Sequence, residues 1–365
     1  MKNQWIDTSQ LNKNRLVVDS LPKGTTDERY FGEIIMKKTC IWFLKAGVSA
    51  VLALAILTGF CMLYYNVPIH YDTSHGATDY AWQYNQFYSR GTEGFALGKT
   101  NNEGYINKAD YTEGQKTHIL IMGSSHMEAF NVGMEESTAA VLGSLLPEKT
   151  VYNIGMSAHT FLNCADNLSA AMEKYKPTDY VILETSNLRY TNAQLQTVLE
   201  KKVSHLPSPT DGIVGMLQKN QFLRLLYAQL ANFGKDDTSN KASTASQKKT
   251  WASEELYSAL ITRLVSTVSQ YGAKLIILYH PPLSLQEDGT ATVTDDRELS
   301  AFFAEVCKES GAQFLDMAEI FTENYEKSHV LPHGFSNTSV GTGHLNKNGH
   351  KMIAQAICDL IKEGN

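Results

Sequence analysis

Between Ala46 and Tyr65 the chain reads AGVSAVLALAILTGFCMLYY, without a single charged residue. No other feature limits the fold as much. Crossing a hydrocarbon core of about 30 Å takes ~20 apolar residues, and in lipid a lone segment satisfies its own backbone only as a helix. Trp42 stands at one end and Tyr64 and Tyr65 at the other, where interfacial aromatics gather. A cleaved signal peptide fits poorly: the run starts far from Met1, is too long for an h-region, and Tyr65-Asn66-Val67-Pro68 offers no small-residue cleavage site. A buried core helix is the bland alternative. Lys37, Lys38 and Lys45 precede the run and the first charge after it is Asp72. The positive-inside rule then puts the N-terminal side in the cytoplasm and everything after Asn66 outside.

The organisation expected is a cytoplasmic tail over 1–38, a transmembrane helix over 40–66, an extracytoplasmic stalk packed on the domain over 67–116, and an α/β domain over 117–365 with an insertion at 188–250. The stalk is rich in Tyr, Gly, Asn and Thr and promises little regular structure. With 365 residues, 43% apolar and 19% charged, the rest of the chain suits a globular protein. A net charge of -6 gives no basic footprint, which argues against a nucleic-acid partner. Cys40 and Cys61 belong to the span region, and Cys164, Cys307 and Cys358 are scattered, so no disulfide framework or metal spacing is visible.

From Thr117 onward, short apolar runs alternate with helix-length segments. Strands are predicted at His118–Met122, Val151–Ile154, Tyr180–Leu183, Lys274–Tyr279 and Gln313–Leu315. Helices are predicted at Glu128–Leu146, Phe161–Lys174, Ala193–Val203, Ala252–Tyr271, Glu298–Ser310 and Asn346–Lys362. This alternation argues for a parallel sheet with helices on both faces. Gly272 and Gly311 fall just past two helices, where a left-handed cap is needed. The insertion carries an apolar-periodic piece, Phe222–Leu230, and ends in a Ser/Thr/Lys/Asp-rich tract, Gly234–Lys249, read as a surface loop.

In an open α/β sheet, sites form beyond the carboxyl ends of the strands. Those ends carry Gly123-Ser124-Ser125-His126, Gly155-Met156-Ser157, Glu184-Thr185-Ser186-Asn187, His280-Pro281-Pro282 and, after a loop, Gly341-Thr342-Gly343-His344. Acyl transfer through serine needs these parts: a hydroxyl beside a base, and donors aimed at the oxyanion. The bland readings are a helix-capping Ser125, a turn glycine at Gly155, a capping Asn187 and a surface His344.

The order of these residues resembles the SGNH (GDSL-like) hydrolase superfamily over about Thr117–Leu360. Gly123-Ser124-Ser125 looks like its first block, Gly155 its second, and His344 before a helix its last. The resemblance implies a three-layer α/β/α, flavodoxin-like domain preceded by one transmembrane helix. It implies Ser125 as nucleophile, His344 as base, and an oxyanion hole from Ser125, Gly155 and Asn187. Ser124 replaces the usual Asp, and Asn187 lies one place late in its block. Gly341 stands where the triad acid belongs. The acid is then Glu184 or Asp316, or else the pair works as a Ser–His dyad with a backbone carbonyl orienting the imidazole. Asp72-Thr73-Ser74-His75 has the right spacing but lies near the membrane. His126 and His280 are expected to line the substrate groove and His350 to pack. No cofactor is expected, and no metal, because the histidines show no ligand pair at helical spacing.

By that resemblance the chain is an O-acyltransferase or esterase, most simply O-acetyl, acting on a cell-surface polysaccharide, with a multi-span membrane acyl-donor protein as a candidate partner. The alternative is a catalytically silent, membrane-anchored carbohydrate-binding or assembly factor, favoured by the missing Asp. A general lipid esterase is a third reading. The acyl group, the acceptor and the oligomeric state are not readable from the residues.

Overall fold

The computed structural model describes residues 27–68, 70–72, 80–200, 220–232, 251–338 and 340–364. The chain divides into two units, residues 1–57 and 58–365. The described residues of the first belong to helix α1, Asp27–Tyr64, of which residues 58–64 are counted in the second unit. Within α1 the stretch Glu33–Tyr64 is long and apolar enough to cross a membrane, the single such helix among the described residues. From Glu33 to Leu57 its side chains are exposed on all sides, with Leu44 at 68% and Ile56 at 71% exposure, and near its end Cys61 is buried. A helix apolar all round and unburied by protein is suited to lipid. The helix starts inside the segment expected as a tail, and residues 27–38 are helical.

From the last two residues of the expected span through the segment expected as a stalk with little regular structure, the chain folds into short antiparallel strands. These are β1 (Tyr65–Asn66), β2 (His70–Asp72), β3 (Tyr80–Trp82), β4 (Phe87–Arg90) and β5 (Ala96–Lys99). β4 pairs with both β1 and β5, and β2 pairs with β3. The aromatics that obscured any strand periodicity anchor the segment: Trp82, Tyr88 and Tyr105 are buried in the domain core. The Tyr88 and Phe130 rings meet edge to face at 4.6 Å, an arrangement that adds to area burial.

The domain continues through β6 (Ile119–Met122), α2 (Ser125–Glu128), α3 (Thr138–Leu145), β7 (Val151–Asn153), α4 (Phe161–Tyr175), β8 (Tyr180–Thr185) and α5 (Asn192–Leu199). After these come α6 (Gln221–Asn232), α7 (Glu254–Ser269), β9 (Lys274–Tyr279), a hairpin of β10 (Leu283–Leu285) and β11 (Ala291–Val293), α8 (Arg297–Ser310), β12 (Gln313–Asp316), α9 (Ala318–Ser328) and α10 (Lys347–Glu363). The Gly234–Lys249 tract lies outside the described residues.

All five central strands are parallel, in the order β12-β9-β8-β6-β7. In chain order that is 5-4-3-1-2, the flavodoxin-like arrangement with its switch point between the first and third strands. Alternate side chains serve opposite faces. Leu120, Met122, Val181, Leu183, Leu275 and Ile277 pack with α4, α5, α7 and α8. Ile119, Ile121, Ile182, Ile276 and Leu278 pack with α3, α9 and α10. The result is three layers, α/β/α. Fully buried parallel strands read as unbroken apolar runs, which is why the sequence shows them so clearly.

One helix departs from expectation. Instead of Glu128–Leu146 there are two, α2 and α3, because Ala129 takes a left-handed conformation (φ 62°) and ends α2 after one turn. The break frees Phe130 to pack on Tyr88 and Asn131 to donate to the Glu93 carbonyl at 2.8 Å.

Candidate active site

Strand β6 delivers Gly123 to its carboxyl end, and only glycine fits. A Cβ there would lie 2.5 Å from the Glu184 carboxylate and 2.8 Å from the Met127 side chain. Ser124 caps α2, accepting from the His126 N–H at 3.2 Å. Ser125 is the first residue of that turn, where the leading N–H groups have no partner inside the helix.

His344 reaches Ser125 from the loop before α10. That loop is rigid at its base: Asn346 caps α10 through the Asn348 and Gly349 N–H groups, and its amide donates to the Leu331 and Gly334 carbonyls. His344 Nε2 lies 2.8 Å from Ser125 Oγ. On the other side of the ring, Nδ1 lies 2.6 Å from Glu93 Oε2, and the His344 N–H donates to Glu93 Oε1 at 2.7 Å. A proton on Nδ1, donated to the carboxylate, leaves the Nε2 lone pair free to accept the serine hydroxyl.

Glu93 sits in the turn between β4 and β5, in the segment expected to be a stalk. Three interactions hold it. Asn337 donates to the carbonyls of Gly91 and Gly94 at 2.9 and 3.0 Å and accepts from the Gly94 N–H at 2.9 Å. Asn131 donates to its carbonyl. Gly343, at φ 88°, leaves room for the carboxylate, which a Cβ there would strike. Burial pushes the Glu93 carboxyl up, but the hydrogen bonds from the His344 ring and backbone outweigh it and hold the group below its ordinary value. It therefore stays ionised beside the imidazole.

The two acids expected at His344 are elsewhere. Glu184 is wholly buried between β6 and β9, with Oε1 2.6 Å from His280 Nε2 and Oε2 accepting the Ser124 N–H at 2.6 Å. It braces the serine corner from below. Asp316 ends the edge strand β12, three places from β6, and accepts from Arg297 at 2.6 Å, Ser300 at 2.6 Å and the Ala318 N–H at 2.9 Å. Neither a backbone carbonyl nor either of these acids meets His344 Nδ1. Glu93 does, and its segment carried no motif to mark it.

The expected oxyanion donors fare unequally. Gly155 packs against the turn holding Ser125, where a Cβ would lie 2.7 Å from the Glu128 nitrogen, but its N–H is spent on Asn153 Oδ1 at 2.9 Å. Asn187 is exposed and folded onto its own loop, donating to the Arg189 carbonyl and accepting from the Arg189 N–H, both at 3.1 Å. A two-residue loop closure has claimed the amide intended for the oxyanion. At the end of α2, Glu128 is buried and receives hydrogen bonds from the Trp82 indole and the Ser157 hydroxyl. Burial pushes its carboxyl up to about 7 against those bonds.

Of the two histidines expected to line the substrate groove, His280 lies in the interior and His126 is half-buried beside Ser125. His280 is fully buried, and His126 is packed among other histidine rings, 4.6 Å from His280, 5.1 Å from His344 and 5.9 Å from His333 between centroids. Burial, then repulsion from these neighbours, holds His126 well below the usual imidazole value. The same causes bring His333 and His350 down to about 3. His350 is buried against the Thr138 hydroxyl at 2.8 Å. His333, which no motif marked, pairs its backbone with Leu345 beside His344.

A serine hydroxyl in hydrogen-bond reach of an imidazole, itself oriented by a carboxylate, is the arrangement that activates a serine nucleophile. No protein-family profile matches the chain, and no curated protein matches its sequence. Solved structures do resemble it loosely. One is the YxiM protein of Bacillus subtilis, with 12% identity over 73% of this chain and 60% of that one, TM-score 0.41. Another is a protein assigned to the G-D-S-L lipolytic family from Desulfitobacterium hafniense, with 15% identity over 67% and 99%, TM-score 0.38. A third is the esterase EstA from a Pseudoalteromonas species, with 16% identity over 68% and 98%, TM-score 0.37. At such TM-scores the chemistry has to be read from the three side chains themselves.

Proposed function

We propose that the chain is a membrane-anchored serine acyl-transfer enzyme of SGNH type, facing outward, that acts as an O-acyltransferase or esterase on a cell-surface polysaccharide. The observation that carries the reading is the continuous Glu93–His344–Ser125 hydrogen-bonded chain. In the reaction, His344 Nε2 takes the Ser125 proton as Oγ attacks the acyl carbonyl. The imidazolium then returns that proton to the departing alcohol oxygen, leaving the acyl group on Ser125. Glu93 keeps the ring in the productive tautomer and offsets its transient charge. A second pass delivers the acyl group to a sugar hydroxyl or to water. The outward orientation follows from the lysines before the apolar helix, and a multi-span membrane protein is the partner class that would supply acyl groups from inside.

Gly341 was the best support for a silent carbohydrate-binding module, and Glu93 supplies the hydrogen bond that Gly341 lacks. The test uses the full chain in detergent with a fluorophosphonate probe. Labelling that disappears in Ser125→Ala, together with loss of O-acyl groups from the surface polysaccharide of cells carrying that variant, supports the enzyme. An unlabelled but folded protein whose polysaccharide binding survives Ser125→Ala would make it the silent module instead.

A further inference from the structure

Three histidines that the mechanism does not use converge behind the serine corner. We infer that His126, His280 and His333 form a binding site for a divalent first-row transition metal, zinc above all.

Each residue offers one ring nitrogen, and the three nitrogens lie within 4.8 Å of one another. They arrive from separate elements: His126 from α2, His280 from the end of β9, His333 from the loop bridged to Leu345. Nothing local in the sequence marks the set, which is why no ligand spacing is visible.

The ring nitrogens are arranged for a cation rather than for one another. Nδ1 of His280 and Nδ1 of His333 are both buried without any hydrogen-bond partner, in side chains 0% and 4% exposed. A buried polar atom left unsatisfied is uncommon and calls for an explanation such as an ion or a water. His280 supplies a second sign. Its Nε2 faces Glu184 Oε1 at 2.6 Å. With the proton held there, Nδ1 presents a bare lone pair. A histidine that donates one nitrogen to a carboxylate and offers the other outward is the arrangement that orients metal-bound imidazoles. Glu184 is itself wholly buried, with His280 and Ser124 as its hydrogen-bond partners. A cation on the far side of His280 balances that charge through the ring.

His126 has one competing contact: its Nδ1 accepts from the Leu345 N–H at 3.3 Å. That bond is long, and ligation through this nitrogen releases it. Around a tetrahedral zinc with Zn–N near 2.0–2.1 Å, the nitrogens would be about 3.3 Å apart. The rings therefore draw together by rotation on binding. Three neutral imidazoles suit zinc, copper, nickel or cobalt over calcium or magnesium, and water takes the fourth position. Because His126 follows Ser125 and its ring stands 5.1 Å from that of His344, the metal would tie the serine corner to β9 and to the loop carrying the base.

The test uses the full chain in detergent, stripped with a chelator and then loaded with zinc sulfate. The expected result is about one zinc retained per chain after dialysis, with a raised Tm. Retention should be lost in His280→Gln and in His333→Gln but kept in His329→Asn, an exposed histidine outside the cluster. To keep the test independent of how the histidine variants fold, the wild-type chain is also titrated with Co2+, where intense d–d absorption at about 500–650 nm marks tetrahedral nitrogen ligation. Folded wild-type protein that retains no zinc and gives no Co2+ bands overturns the inference and leaves an ordered water as the occupant. Retention unchanged in the His280→Gln, His333→Gln double variant overturns it as well.

Discussion

Glu93 Oε2 lies 2.6 Å from His344 Nδ1, although 251 positions separate the two residues. The same carboxylate accepts the His344 backbone N–H through its other oxygen. Side chain and main chain of the base are thus both held by one acid. A bidentate grip of this kind sets the ring plane as well as the tautomer.

Glu93→Gln keeps the shape but removes the charge and invites the wrong imidazole tautomer. The expected loss in kcat on a short-chain nitrophenyl ester is about 10²–10⁴-fold with KM little changed. Steady-state kinetics checks this, and unchanged kcat would mean that His344 is steadied by something else.

The low-lying Glu93 carboxyl links stability to acidity. Its ordinary value is 4.5 and its folded value is lower. The unfolded chain therefore binds the proton first as pH falls, so the Glu93 contribution is whole above the ordinary value and is lost as pH drops through the folded one. Urea midpoints of wild type and Glu93→Gln should differ most at neutral pH and converge as pH falls through the lowered folded value. A gap that does not change with pH would show that Glu93 ionisation is not coupled to folding.

Two neighbouring glycines separate backbone strain from acid displacement. Gly343 and Gly341 both have positive φ, 88° and 74°. A Cβ on Gly343 collides with the Glu93 carboxylate, whereas on Gly341 its nearest neighbours are at an ordinary 3.5 Å. Each alanine substitution should cost on the order of 1–3 kcal/mol in backbone strain. Only Gly343→Ala should also lower kcat to the level of Glu93→Gln, as measured per folded molecule.

Asn337 joins the Glu93 turn to the loop that leads to His344 through three hydrogen bonds. Asn337→Ala leaves these backbone groups without their partner and should destabilise by about 1–3 kcal/mol. Its kcat should fall while Ser125 remains labelled by the fluorophosphonate, only more slowly. Labelling at the wild-type rate would mean the Glu93 turn is positioned without Asn337.

The core gives a contrasting case. Phe303 is fully buried among Phe161, Tyr257 and Phe314 rings. Phe303→Ala should cost about 3–5 kcal/mol by chemical unfolding and leave the kcat of the folded fraction intact, since the residue lies away from Ser125.

Much of the domain was legible from local pattern. The five apolar runs announced the parallel sheet because strands covered on both faces have no polar side to show. Ser125 and His344 stood out because each closes a strand or opens a helix at the same sheet edge, and the structure brings them to 2.8 Å. Asn187 misled because its place in a four-residue block says nothing about the turn it closes with Arg189. Helix α2 was misjudged because the break at Ala129 answers to Phe130 and Asn131, whose partners lie in the β3–β5 region.

What the sequence determined by itself was the apolar helix, the α/β/α layering and the two residues at the serine corner, since each depends on spacing within a short window. Which carboxylate meets His344, what Glu184 braces, and that His126, His280 and His333 share one pocket were decided only by the tertiary structure. A hydrogen bond or a ligand set depends on atoms a few ångströms apart in space. Packing of the early hairpin against the last loop brings Glu93 to His344, adjacent strand ends bring Glu184 to His280, and no local periodicity encodes either approach.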